Sequence, residues 1–238
     1  MKPDYGIDAP GVVRNLLIIG IGLLMLGRFL PNLQIGPVNF RLRPTALATG
    51  TVCTLEGVLM ILYAKAGKFR HRDRMLKLVH WTGGESVLDV GTGRGLLMIG
   101  AAKKLRTGQA VGIDIWSGKD LSGNTTENTL RNAEIEGVRD RVRIEDGDAT
   151  AMKYSDGSFD VVLSNLCIHN IPTKEARDSA CAEIVRVLKP GGKAIISDYK
   201  NTAEYARAFR SAGASAVRRE MNLLTTFPPL RIVQVEKP

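Results

Sequence analysis

The residues of this chain that are best suited to chemistry lie where a short apolar segment runs into a glycine-rich one. Ser86–Val90 (SVLDV) is typical of a buried strand, and Gly-Thr-Gly-Arg-Gly follows it at 91–95. Glycines allow a tight turn and let a ligand approach the backbone closely. In an open α/β fold such a turn lies at the carboxyl edge of the sheet, where ligands bind. The segment therefore predicts a binding loop between a strand and a helix.

Acidic residues take similar positions after the next two predicted strands. Asp114 ends the second strand, where a carboxylate can accept charge-assisted hydrogen bonds from both hydroxyls of a ribose. Ile115 and Trp116 follow, and either offers apolar area on which a planar ring can pack, although a core or membrane-facing role is an equal alternative for Trp116. Asp148 and Ala149 come after the third strand. For Asp148 the alternative is a loop carboxylate that contacts no ligand.

Two nucleotide-binding patterns compete for the glycine-rich segment. The dinucleotide pattern G-x-G-x-x-G requires glycine at position 96, where this chain has Leu96. The spacing G-x-G-x-G, with Asp89 two positions before the first glycine, resembles instead motif I of the class I S-adenosylmethionine-dependent methyltransferases. A glycine turn without a ligand is the remaining alternative.

Further segments resemble later motifs of that family, in the right order. They are Gly-Asp-Ala at 147–149, SNLCIHN at 164–170 and LKPGG at 188–192. The resemblance covers the chain from Met75 to the C-terminus. It is closest to the ubiquinone and sterol type of small-molecule methyltransferase.

The resemblance implies S-adenosyl-L-methionine as the cofactor. In the family, the loop backbone holds the methionine part, the acid at Asp89 orders the loop, the acid at Asp114 binds the ribose, and Asp148 reaches the adenine amino group. The implied cofactor-binding set is Asp89, Gly91, Thr92, Gly93, Gly95, Asp114, Ile115, Trp116, Asp148, Ala149, Asn165 and Leu166. No metal is implied.

Candidates for the transfer step follow the fourth and fifth strands. A sulfonium already activates its methyl group, so the protein must mainly align the acceptor, and alignment can supply about 7–11 kcal/mol of barrier reduction. His169 is the candidate base because its intrinsic pKa lies near neutrality, with a capping or packing role as the alternative. Topology brings Asn165 and Tyr199 to the same edge, and Phe-Pro-Pro at 227–229 is expected to wall the pocket.

Two departures argue against nucleic-acid substrates. Enzymes that methylate exocyclic amines of bases carry a Pro-Pro-aromatic run after the Asp or Asn, whereas Leu-Cys-Ile follows Asn165. Cytosine carbon-5 enzymes use a Pro-Cys nucleophile, whereas Cys167 follows a leucine. The three cysteines are isolated, so neither a zinc site nor a disulfide framework is predicted, and a reducing compartment is expected for the catalytic part.

The elements that must position these residues alternate between strands and helices from Gly84 onward. Strands are predicted at 86–90, 110–115, 142–145, 159–164, 193–198, 214–220 and 230–235, and helices at 95–105, 126–136, 173–188 and 202–212, with a turn at 189–192. We expect an α/β fold with a doubly wound, mostly parallel seven-stranded sheet. Its last two strands form a hairpin, which gives one antiparallel strand. The predicted methyltransferase domain is 68–238.

Residues 1–67 are predicted to form a membrane-anchoring helical hairpin. Apolar runs at 12–28 and 45–66 flank a proline-containing turn region at 30–44. Only 15–27 of the first run is uncharged, which is short of the ~20 residues of a spanning helix. Glu56 interrupts the second run and should pair or face protein. An interfacial or re-entrant anchor, or burial of both runs in a soluble core or dimer, are the alternatives; a cleavable signal peptide is disfavoured.

Charge agrees in part with such an anchor. The net charge is +9, and a basic cluster follows the second run: Lys65, Lys68, Arg70, Arg72 and Arg74. Basic residues beside an apolar segment attract anionic headgroups and are typical of cytoplasmic flanks. Arg28, Arg41 and Arg43 in the turn region weaken that argument, and a solvated basic helix face is the alternative.

Together these observations predict a membrane-associated methyltransferase with its catalytic domain on the cytoplasmic side. The expected acceptor is a small lipophilic molecule or lipid such as a quinone, prenyl phenol, sterol or phospholipid headgroup, and no nucleic-acid partner is expected. The alternative is a membrane-tethered S-adenosylmethionine-binding module without turnover, and a nicotinamide oxidoreductase is a distant third. The sequence does not identify the acceptor, the methylated atom or the oligomeric state.

Overall fold

The computed structural model describes residues 2–222 and 226–238. Its N-terminal part is a helical hairpin. Its elements are α1 (Pro10–Gly27), the short strands β1 (Leu33–Ile35) and β2 (Val38–Phe40), and α2 (Leu42–Leu62). A π-helical turn (Tyr63–Gly67) joins α2 to α3 (Lys68–Leu76), so the chain is helical from 42 to 76. The predicted turn region thus contains an antiparallel β-hairpin that sequence reasoning missed, although its apolar and polar residues alternate.

The rest of the described chain is a seven-stranded sheet with helices between its strands. In chain order its elements are β3 (Ser86–Val90), α4 (Leu96–Ala102), β4 (Gln109–Asp114), α5 (Thr126–Ile135), β5 (Val142–Asp146), β6 (Phe159–Asn165), α6 (Lys174–Val187), β7 (Leu188–Asp198), α7 (Thr202–Ser211), β8 (Ala216–Asn222) and β9 (Leu230–Glu236). The strand order is β5-β4-β3-β6-β7-β9-β8. All pairs are parallel except those of β9 with β7 and β8. The predicted fold class is confirmed.

Successive side chains of a strand point to opposite faces of the sheet, and here both faces are buried. Leu88 of β3 and Val162 of β6 belong to one core, whereas Val87 and Leu163 belong to the other. Strands buried on both sides need apolar residues at every position, which explains the continuous runs in the sequence. The parallel strands end at one edge, where the predicted loops meet.

One predicted turn is wrong. Residues 189–192 lie within β7 and bulge out of the ladder between the pairs Phe159–Leu188 and Val161–Lys193. The Gly191 N–H donates to the carbonyl of Lys237, and the Lys237 N–H donates to that of Gly192. These hydrogen bonds pair backbone groups that a solvent-exposed turn would leave free. Pairing with the C-terminal residues therefore overrides the tendency of proline and glycine to form a turn.

The two long helices pack against each other through glycines. A Cβ at Gly20 would lie 2.4 Å from Thr54 Oγ1, and one at Gly50 would lie 2.9 Å from the Gly20 carbonyl oxygen. Large apolar side chains are exposed elsewhere on the hairpin, among them Ile18 and Met25 of α1 and Phe29 just after it. By length and composition, α1 and the continuous helix Leu42–Leu76 could each cross a bilayer, and only 17% of each apolar window is buried.

The residues before α1 bind the helical hairpin to the sheet domain. The buried Lys68 Nζ donates 2.7 Å hydrogen bonds to the carbonyls of Tyr5 and Gly6, and the Tyr5 hydroxyl donates to Glu136. The Arg94 guanidinium donates to Asp4 at 3.1 Å. Lys68 is therefore not available to lipid headgroups, which corrects its place in the predicted basic cluster. The division of the chain at 67/68 stays a prediction.

Candidate active site

The glycine-rich loop follows β3 as predicted, and its shape requires glycine. Gly91 has φ +71°, and a Cβ there would lie 2.3 Å from the Cys167 Sγ. Gly93 has φ +54°. A side chain at either position would be strained, and one at Gly91 would also displace Cys167, so the loop backbone stays bare toward the space above it.

Asp89 holds this loop from beneath. Its Oδ2 accepts hydrogen bonds from the Thr92 hydroxyl at 3.0 Å and from the Met98 N–H at 2.9 Å. Burial raises the pKa of Asp89 to about 7, and the negative charge of Asp114 acts in the same direction. The side chain thus orders the loop, as the family resemblance implies, but it lies behind the backbone.

Asp114 is the carboxylate at the end of β4 and is buried at the loop. Its Oδ2 accepts from the Gly93 N–H at 2.7 Å, and its Oδ1 accepts from the Trp116 N–H at 2.7 Å and from Asn124 Nδ2 at 3.2 Å. A carboxylate has about four acceptor positions. One is left for a ligand, so binding two ribose hydroxyls would require the Asn124 side chain to move.

A cavity of about 750 Å³ opens above these residues. Most of the predicted site residues line it: Gly91, Gly93, Asp114, Ile115, Asp148, Ala149, Asn165, Leu166, His169 and Tyr199. Phe227 and Pro228 line it as well. The topology therefore brings together residues that are up to 137 positions apart in the sequence.

Four residues of the predicted cofactor set do not line this cavity: Asp89, Thr92, Gly95 and Trp116. The first three shape the loop, since Gly95 (φ +84°) is the N-cap of α4. Trp116 (φ +59°) turns away and donates its indole N–H to Asp146 at 2.6 Å. Of the two apolar candidates after Asp114, Ile115 is the one beside the cavity.

The predicted adenine end has an open carboxylate. Asp148 Oδ1 accepts from both the N–H and the hydroxyl of Thr150 at 2.8 Å. These bonds fix the side chain, and Asp148 is exposed at the cavity wall. Ala149 and Ile115 supply apolar surface beside it.

At the opposite end, His169 lies against a buried carboxylate that sequence reasoning missed. Its Nδ1 is 2.8 Å from Asp198 Oδ1, a close electrostatic contact although the direction is not that of a hydrogen bond. The ring also meets that of Tyr199 edge-on at 4.8 Å. With Nδ1 turned to Asp198, Nε2 is the nitrogen left for the cavity. Such an arrangement can orient an imidazole for proton transfer.

Asp198 is itself held firmly at the end of β7. It accepts from the N–H groups of His169 and Tyr199 and from the hydroxyl of Tyr205. Burial and the Asp198 charge together raise the pKa of Tyr205, so that hydroxyl remains a donor. An acidic residue ending a strand just before Tyr199 was the signal that could have identified Asp198.

Cys167 shows no sign of being a nucleophile. Burial raises the pKa of its thiol, and the carboxylates of Asp114 and Asp198 raise it further. A thiol is weakly nucleophilic when protonated. Its position beside Gly91 is that of a packing residue.

The helical hairpin contributes cavity residues that were not predicted. They are Val12 and Leu16 of α1 and Glu56 and Met60 of α2, with Asp8 and Ala9 just before α1. Each helical pair is four residues apart and shares a face. Glu56, the charge within the second apolar run, was the available signal, since it was expected to face protein. The hairpin is thus one wall of the cavity.

The residues at this edge fit the cofactor that the fold implies. The bare loop backbone, the Asp114 carboxylate and the exposed Asp148 surround an open cavity. Buried Asn124 Oδ1, next to Asp114, has no hydrogen-bond donor in the described part of the chain. A ligand with hydroxyl and amino donors would satisfy these acceptors.

Comparison with known proteins agrees with this geometry. Residues 88–196 match the family model of a methyltransferase domain. Demethylmenaquinone methyltransferase of Lactiplantibacillus plantarum is 30% identical over 131 residues, which are 54% of this chain and 52% of that protein. The chain spans about half the length of the first curated relatives it matches.

Solved structures share the fold at low sequence identity. A geranyl diphosphate methyltransferase in complex with S-adenosylmethionine has a TM-score of 0.58 at 15% identity, over 71% of this chain and 85% of that one. Phosphoethanolamine N-methyltransferase 2 of Haemonchus contortus, in complex with phosphomonomethylethanolamine and S-adenosylhomocysteine, also has a TM-score of 0.58, at 19% identity over 71% and 52% of the two chains. Residues 88–196 thus match a methyltransferase domain, and the chain has the α/β fold of methyltransferases solved with S-adenosylmethionine or S-adenosylhomocysteine bound.

Proposed function

We propose that the whole protein is a membrane-associated methyltransferase that moves a methyl group from S-adenosylmethionine to a small lipophilic or lipid acceptor. The observation that carries this proposal is the shared cavity, whose walls come from both the sheet edge and the apolar helical hairpin. A hairpin that was only an anchor would have no reason to line it. The relatives that act on demethylmenaquinone and geranyl diphosphate support a lipophilic acceptor.

In this proposal the cofactor lies along the carboxyl edge of the sheet. The backbone of Gly91 and Gly93 holds its methionine part, Asp114 its ribose and Asp148 its adenine amino group. The sulfonium supplies an activated methyl group. The protein then has to bring the acceptor into line and exclude water, which the enclosing hairpin and Phe227 favour.

His169 is the proposed base for an acceptor that must lose a proton. Asp198 orients its ring and stabilises the imidazolium that forms, while Nε2 takes the proton. Asn165 and Tyr199 are proposed to position the acceptor beside it. We expect H169Q to lower kcat by about 10²–10⁴-fold without changing cofactor affinity.

The membrane-facing surface is proposed to be the outer face of the helical hairpin. Lys65, Arg70 and Arg74 are exposed just after it, which supports a cytoplasmic position for the catalytic domain. Labelling of single cysteines placed on α3, in sealed vesicles of known orientation, tests the side.

The first experiment is turnover. Full-length protein is incubated with methyl-labelled S-adenosylmethionine and a total membrane lipid extract, and labelled lipid is the expected result. Calorimetry with the cofactor is run in parallel, with D114A as the variant expected to lose about 10–100-fold in affinity. Cofactor binding without labelled product across lipids, quinones and proteins would favour a binding module that does not turn over, and tight NADH binding alone would reject the methyltransferase.

A further inference from the structure

The cavity is acidic although the protein is strongly basic. Five carboxylates line it (Asp8, Glu56, Asp114, Asp120 and Asp148), and none of its described lining residues is Lys or Arg. The chain as a whole carries a net charge of +9. A cleft lined by one sign of charge concentrates ligands of the opposite sign and repels its own. The cavity therefore disfavours an anionic acceptor group.

The five carboxylates have different surroundings. Asp114 and Asp148 lie at strand ends with the hydrogen bonds already described, and Asp8 lies 3.6 Å from Lys68 Nζ. Asp120 lies in the loop between β4 and α5. Glu56 alone comes from the hairpin wall, and it has no ion-pair or hydrogen-bond partner in the part of the chain that the structure describes.

The surroundings of Glu56 are apolar. Met60 lies one turn away on the same face of α2, and Val12 and Leu16 face the cavity from α1. Glu56 is exposed where it lines the cavity, so its negative charge can attract a cationic group that enters there. The wall matches an amphiphile that carries a cationic group and an aliphatic part.

A buried acceptor atom gives a second indication. Asn165 lines the same cavity, and its Oδ1 has no hydrogen-bond donor in the described residues, whereas Asp8 Oδ2 is paired with the Lys68 ammonium at 3.6 Å. The hydroxyl of buried Tyr63 lies beside Asn165 without hydrogen-bonding geometry. An alkylammonium supplies several N–H donors and no acceptor. The free Asn165 oxygen therefore favours a ligand group with several N–H donors, which a hydroxyl, a quinol or a phosphate supplies in smaller number.

We propose that the hairpin wall is the acceptor subsite and that Glu56 selects an amine-bearing amphiphile. This inference rests on the proposed function and specifies its substrate class. The ammonium binds at Glu56 with its aliphatic part along Val12, Leu16 and Met60, and it loses one proton to His169. The amine lone pair then forms a carbon–nitrogen bond with the methyl group as the carbon–sulfur bond breaks, its electron pair remaining on sulfur. The product is an N-methylammonium and a neutral thioether.

Binding of simple probes tests the charge selection. Full-length protein is titrated with octylamine, octanol and octyl phosphate in neutral detergent below micellar probe concentrations. We expect octylamine to bind best. E56Q keeps the shape but removes the charge, and it should weaken octylamine binding about 10–100-fold while changing octanol binding less than about twofold. The matched control is E134Q, an exposed carboxylate on α5 outside the cavity, which should change neither.

Cofactor calorimetry on the same proteins separates the two proposals. An unchanged cofactor affinity in E56Q supports an acceptor role for Glu56. If E56Q weakens the binding of cofactor and octylamine equally, that role is overturned. A wild-type protein that binds no cofactor refutes the proposed function, and the preference for octylamine is still measured. Equal binding of octylamine by wild type and E56Q, or tighter binding of octyl phosphate, overturns the amine subsite.

Transfer assays identify the source of the amine. Nanodiscs of phosphatidylethanolamine or phosphatidylglycerol, and octylamine in neutral nanodiscs, are incubated with methyl-labelled cofactor. Labelled phosphatidylethanolamine indicates an aminolipid, and labelled octylamine alone indicates a free amphiphilic amine; both support the proposal. Label that reaches only phosphatidylglycerol or added quinol contradicts it.

Discussion

The sheet strands and the helical hairpin are both rich in apolar residues, but they place them differently. Leu88 and Val162 are fully buried between helices, whereas Ile18 and Met25 of α1 are each 64% exposed. Inside the hairpin, contact is made by glycines that let the two backbones approach. The sheet domain contains its own core, while the hairpin presents its apolar surface outward. Burial depends on what surrounds an apolar segment, and composition alone does not decide it.

We expect the largest effect from making the hairpin surface polar. The combined variant I18S, I19S, M25S and F29S removes exposed apolar area that should stabilise membrane insertion by roughly 6 kcal/mol or more. We expect the wild type in the membrane pellet after alkaline extraction and the variant largely in the supernatant. M221S, which changes an exposed apolar residue of β8, is the control. Wild-type protein in the soluble fraction would reject the anchor.

The same Leu→Ala change in both regions compares the loss of unfolding free energy at a buried and at an exposed leucine. At Leu88, which is 0% exposed, it should lower the free energy of unfolding by about 2–5 kcal/mol through lost burial and a cavity. At Leu55, which is 55% exposed on α2, it should cost less than about 1 kcal/mol in detergent. Chemical denaturation followed by tryptophan fluorescence measures both. Equal losses would mean that Leu55 is buried against protein in solution.

Two glycines of α1 test the packing within the hairpin. G20A places a methyl group 2.7 Å from the backbone nitrogen of Thr54, and it should destabilise the hairpin by about 1–3 kcal/mol. G22A has nothing within 4 Å and should be neutral or stabilise α1 by up to about 1 kcal/mol. The rate of crosslinking between single cysteines on α1 and α2 reports the difference. If both variants behave alike, the close contact at Gly20 is absent.

The smallest expected effect concerns a buried charge of the sheet domain. Because burial raises the pKa of Asp89 to about 7, its folded state binds a proton more tightly than its unfolded state. This group therefore lowers stability as pH rises toward 7, and between pH 6 and pH 7 the loss is at most about 1.4 kcal/mol. D89N should show a flatter stability profile between pH 6 and 7 in parallel denaturation series. An identical slope in both proteins would mean that Asp89 is already ionised.

The cavity was only partly predictable. The strand-end residues Asp114, Asp148 and Asn165 were found because parallel strands end at one edge and their motifs are local in sequence. Asp198 was missed although it ends a strand at that edge. The hairpin residues around Glu56 were missed because no local pattern connects the hairpin to that edge. The sequence places Trp116 in the cofactor set, whereas in the structure its left-handed backbone turns the ring toward Asp146.

The sequence alone determined the order of strands and helices in the sheet domain, the loop that needs glycine, and the presence of two apolar runs. These are properties of residues that are close along the chain, where periodicity and backbone sterics act. Only the tertiary structure decided that 189–192 is a bulge, that Lys68 holds the N-terminal residues, and that Glu56 faces the same cavity as Asp114. Such contacts join residues far apart in sequence. Whether they form depends on packing and hydrogen bonding across the whole molecule.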